Sequence, residues 1–101
     1  MQRLIEQPTG EGDVLDGGAR LGRVHYHLDV YQHFSDVEEE PVPPSLGVEG
    51  RLTPLDLLDL ADLHQRGVEL TLCLADGRIL DFSTADEMGR IRSTGRGLYT
   101  Q

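Results

Sequence analysis

Hydrophobic and polar positions alternate most strictly over residues 20–34. Val24, Tyr26, Leu28, Val30 and Phe34 take one side; Arg23, His25, His27, Asp29, Tyr31 and His33 take the other. Period-two alternation over that length predicts a long strand with one face on a core and one open to water or a partner. Such a strand bends or joins a coiled sheet or barrel, and Gly22 marks where a bend is expected. Residues 68–74 alternate in the same way and meet residues 78–82 across Asp76-Gly77, a hairpin signal. A two-residue loop would set Leu72 opposite Asp81. A three-residue loop over residues 75–77, with Gly77 left-handed, sets Leu72 opposite Leu80 and Leu70 opposite Phe82. Only the second keeps apolar residues on one face, so it is the register expected.

The segments between these strands have their own signals. Leu46, Val48 and Leu52 share a face, with Gly50 where another apolar residue belongs, which suggests a close approach of two backbones. This segment is expected to pair antiparallel with the long strand across residues 35–44. Those residues hold Asp36, Glu38, Glu39, Glu40 and three prolines, and read as an exposed mobile loop. Residues 9–18, rich in Gly and Asp with only Val14 and Leu15 apolar, read as a second mobile loop. Leu4 and Ile5 suggest a short first strand, and residues 90–94 a short last one.

One helix is expected. Thr53 is placed to cap it, Pro54 suits its first position, and Asp56 follows three residues after the cap. Gly67 closes it, with His64 and Arg66 in the last turn. Leu57, Leu58, Leu60, Ala61 and His64 form a broad apolar face; Asp56, Asp59 and Asp62 line the opposite side, flanked by Leu55 and Leu63. The resulting element order resembles that of an OB-type barrel. The fold class expected is α+β, mainly β: a small antiparallel β-barrel or strongly curved sheet with one α-helix between strands. At 101 residues it is one domain, residues 1–101.

Composition narrows the function. The formal net charge of -9 argues against general nucleic-acid binding, because phosphate backbones are repelled. The basic residues Arg90, Arg92 and Arg96 read as charge balance. One cysteine, Cys73, excludes an internal disulfide and sits within an expected strand as an inert thiol. No apolar run is long enough to span a membrane, and the first residues lack the apolar stretch of a signal peptide, so a cytoplasmic protein is expected.

The candidate chemistry lies on the polar side of the long strand. His25 and His27 point the same way, as a His-x-His pair that would bind a metal if a third ligand came from elsewhere. No serine or cysteine stands in a nucleophile context, and no pair of carboxylates is singled out. The reading is therefore a non-enzymatic binding or regulatory module without a cofactor. It engages a protein or small molecule through Arg23, His25, His27 and Tyr31, as a monomer or weak homodimer. A metal-binding protein using His25 and His27 is the alternative. A single-stranded nucleic-acid-binding barrel ranks below it, because Tyr26, Tyr31 and Phe34 are few stacking platforms and the charge has the wrong sign.

Overall fold

The long alternating stretch becomes the strand on which the others assemble. The computed structural model describes residues 2–33, 45–94 and 97–100. Among these the strands are β1 (Gln2–Glu6), β2 (Thr9–Asp16), β3 (Ala19–His33), β4 (Ser45–Pro54), β5 (Leu70–Cys73), β6 (Ile79–Thr84) and β7 (Arg90–Ser93). Helix α1 (Leu60–Arg66) lies between β4 and β5. β2, β3 and β4 form one antiparallel meander, and β5, β6 and β7 form another. β2 pairs with β5 and β4 pairs with β7, so the ring β2–β3–β4–β7–β6–β5 closes on itself. The fold is a six-stranded antiparallel barrel with one helix, and closure removes the open-sheet alternative. β1 stands outside the ring, pairing with β3 beyond the reach of β2.

The alternation along β3 holds. Val24, Tyr26, Leu28 and Val30 point into the barrel and are at most 3% exposed, while His25 and His27 are on the outside. Phe34 and the acidic residues 35–44 lie outside the described residues. The bend falls beside Gly22: the β2–β3 register skips Leu21, leaving it as a bulge. Gly50 sits opposite Leu28, and a Cβ there would strike the His27 carbonyl oxygen and approach Leu28 Cδ2 to 2.8 Å. The hairpin adopts the three-residue loop. Leu72 faces Leu80, Leu70 faces Phe82, and Gly77 has φ 91°.

Two expectations fail. Residues 9–18 are not a loop, since Thr9–Asp16 is a barrel strand paired on both edges. Its glycines are a packing requirement there. A Cβ on Gly12 would collide with the Cys73 carbonyl oxygen and the Tyr26 ring, and one on Gly10 with the Tyr26 hydroxyl. The helix also does not begin at Thr53–Pro54. Those residues finish β4, opposite His25 and Val24. The next residues remain tied to β3, because Leu55 N–H donates to the Arg23 carbonyl and the Asp56 carboxylate accepts from Arg23 N–H at 3.1 Å. Asp59 is the actual cap, accepting from Asp62 N–H, and Gly67 closes the helix with φ 64° as expected. The later start changes the apolar face. Leu60 and Leu63 enter the core, Leu58 packs against it in part, and Leu57 lies wholly in solvent. His64 Nδ1 is 3.0 Å from Thr84 Oγ1, which ties the helix to the end of β6.

Candidate functional site

The four residues expected to form a ligand surface do share the outer side of β3, but they do not converge. Tyr31 lies eight residues beyond Arg23, about 27 Å of strand. The Arg23 guanidinium turns toward β2, 3.6 Å from Glu11 Oε2. Tyr31 is half-buried, opposite Leu4 on β1 and Gly47 on β4. His25 lies opposite Glu11 and Thr53. His27 alone reaches the groove described next. Among the described residues, no group of three or more His, Cys, Asp or Glu is placed to hold a metal ion.

That groove, of about 410 Å³, runs over the outside of β3, β4 and β7. Strand register arranges its charges in two rows. His27 faces Arg51, and Arg51 faces Arg90. One step along, Asp29 faces Glu49, and Glu49 faces Arg92. The strands alternate, so Leu28, Gly50 and Ile91 fall between the rows, with Leu28 and Ile91 directed into the core. The first row is basic and the second carries two carboxylates with one guanidinium. Cross-strand neighbours at this spacing lie within reach of one another.

Two carboxylates at and beside the groove are held in place. Asp29 accepts from Gln7 Nε2 at 2.9 Å and lies 3.8 Å from His27 Nε2. Asp86, in the turn before β7, accepts from Met88 N–H at 2.8 Å and from Arg90 N–H at 3.1 Å. Those two hydrogen bonds, with help from the Arg90 and Arg51 charges, hold its carboxyl below the usual carboxylate range. The two hydrogen bonds to Asp86 fix the approach to β7. Arg51, Arg90 and Arg92 form no ion pair with the described residues.

A second charged cluster has a structural task. Arg78 donates to both Glu6 carboxylate oxygens, at 2.9 and 2.7 Å, and its Nε to Asp76 Oδ2 at 2.8 Å. These bonds lower both carboxyl pKa values and raise that of the guanidinium. The cluster fastens β1, the strand outside the ring, to the β5–β6 hairpin.

From the sequence alone Arg90 and Arg92 read as charge balance, and nothing local singles out Glu49 and Arg51. Both pairs read charged–small or apolar–charged, a period-two pattern with its charges on one side. The missing information was the β4–β7 pairing. Arg96 lies outside the described residues. No family model, no curated protein and no solved structure matches the chain.

Proposed function

We propose that the protein is a non-enzymatic binding or regulatory module, and that its site is the outer β3–β4–β7 face. The ligand, or partner segment, carries an acidic group for the His27–Arg51–Arg90 row. It carries a basic group for Asp29 and Glu49, about 7 Å away along the strands, the repeat between side chains on one face. The observation that supports this reading is three guanidinium groups, without ion pairs among the described residues, gathered in one groove of a chain whose net charge is -9. Arginine suits the task because its planar fork meets carboxylate or phosphate through two hydrogen bonds.

The test is a titration of the isotope-labelled chain, followed by backbone amide shifts. The probes are 6-aminohexanoate, hexanoate and hexylamine. The zwitterion should move Gly50, Arg90, Ile91 and Arg92 at concentrations where neither single-charge probe does. Arg51→Glu with Arg90→Glu should abolish the shifts while the rest of the spectrum is kept. No shift at these residues, or shifts that survive the double charge reversal, would overturn the proposal.

A further inference from the structure

Away from the groove, the helix end of the barrel presents two large apolar side chains to solvent. Leu57 is 102% exposed and Met88 83% exposed. Their exposure follows from anchored backbone on either side. Asp56 is bonded to Arg23 N–H, and Leu58 packs in part against the core, so Leu57 between them is turned outward. Asp86 accepts from Met88 N–H, and the Gly89 carbonyl accepts from Leu52 N–H at 2.8 Å. That fixes the turn from which Met88 projects. A Cβ on Gly89 would collide with the Leu52 carbonyl oxygen, so the turn packs closely against β4.

The two side chains flank a shallow depression between the β4–α1 connection and the turn before β7. Asp56, Asp59 and Glu87 also line it; among the described residues no basic side chain does, and Arg20 pairs with Asp56 at 3.8 Å. Neighbouring apolar side chains on anchored backbone with an acidic rim form a surface that a partner of complementary charge can cover. Methionine and leucine accept varied apolar contacts, and a one-sign acidic rim selects for basic neighbours.

We propose that this end of the barrel docks a cationic amphipathic segment of another protein. Its apolar side chains would cover Leu57 and Met88, and its Lys or Arg side chains would meet Asp59 and Glu87, since Asp56 is already held by Arg23 N–H and lies 3.8 Å from the Arg20 guanidinium. The acidic rim disfavours a second copy of the same end, because a two-fold contact would bring like charges together.

The experiment uses the full chain and three synthetic peptides: leucine and lysine at helical spacing, the same with glutamate for lysine, and the same with serine for leucine. Binding is read by fluorescence anisotropy at low and moderate salt. The Leu/Lys peptide should bind, weaken with salt, and lose at least tenfold in affinity to the Leu57→Ser/Met88→Ser variant. That variant keeps every charge, so general attraction to an acidic protein would leave its binding unchanged and overturn the proposal. Equal binding of the glutamate or serine peptide would overturn it too. So would sedimentation showing a dimer of the unmodified chain that the double variant abolishes, because the occupant is then a second copy. Both side chains are exposed, so an unchanged melting temperature of the variant is expected and confirms that its fold is intact.

Discussion

Gly12→Ala tests whether barrel closure, and not loop flexibility, is why glycine stands in β2. Gly12 is buried and is not among the glycines with positive φ, so alanine brings no backbone strain of its own. The added methyl group would collide with the Cys73 carbonyl oxygen and lie 3.3 Å from Tyr26 Cε1. The first obstacle is backbone of β5 and the second is a ring whose hydroxyl accepts from Ala75 N–H at 3.1 Å, so neither yields easily. Overpacking of this kind costs about 1–3 kcal/mol, and a backbone obstacle places it at the upper end. Reduced freedom of the unfolded chain offsets about 0.4–1 kcal/mol. A net loss of about 2 kcal/mol corresponds to a fall in Tm of roughly 8–16 °C for a domain of this size. Urea and thermal unfolding measure the loss. Hydrogen exchange should place it at the β2–β5 contact, with amides of residues 71–73 exposed before those of β6 and β7. A loss below about 0.5 kcal/mol, or one without change at β5, refutes the steric account.

Two further substitutions separate the roles assigned to other residues. Leu63→Ala, at a core position 5% exposed, should cost about 2–4 kcal/mol in urea unfolding, whereas Leu57→Ala should change stability by less than about 0.5 kcal/mol. The reverse order would restore the longer helix expected from the sequence. Arg78→Met should release β1 to faster hydrogen exchange while costing less than about 1 kcal/mol at neutral pH, because Glu6 and Asp76 are well exposed and screened. Both carboxyl pKa values are depressed in the fold, so their contribution is present above the ordinary carboxylate range and is lost as pH falls through the lowered values. The stability gap between the two proteins should therefore close below about pH 4, and a gap that stays constant to pH 2 would contradict the assignment.

How much of the fold could be read from the chain depended on whether the deciding contact was local. Val24, Tyr26, Leu28 and Val30 declared their face by alternation. The Leu70–Phe82 and Leu72–Leu80 pairs followed from one glycine and the need to keep apolar residues together. Gly67 ended the helix for a reason contained in its own backbone. The errors arose where a distant strand decided. Thr53, Pro54 and Asp56 carry strong helix-start chemistry, yet β3 captured all three. Gly10 and Gly12 look like loop residues until Tyr26, from another strand, fills the space above them. The charged groove was hidden for the same reason. His27 was singled out on its own strand, but Arg51 and Arg90 reach it only through the β3–β4 and β4–β7 registers.

The groove and the closure of the barrel depend on the same residues. Among the described residues β4 meets β7 through three register pairs, Glu49–Arg92, Gly50–Ile91 and Arg51–Arg90, and two of these supply charges to the groove. Val48 N–H extends the seam by donating to Ser93 Oγ at 3.1 Å, and Leu52 N–H extends it at the other end by donating to the Gly89 carbonyl. A ligand that holds Arg51 and Arg90 together spans the seam, so it favours the closed barrel over any opened form and raises the apparent stability by mass action. The dependence also runs the other way. A substitution that loosens the seam, such as a side chain at Gly50 or Gly89, scatters the charge rows without altering a charged residue. Loss of binding in a variant therefore identifies a ligand contact only where the β4–β7 amides keep their protection against exchange. Arg51→Glu and Arg90→Glu place carboxylates where β4 and β7 meet, so the same control decides whether they report on the ligand or on the seam.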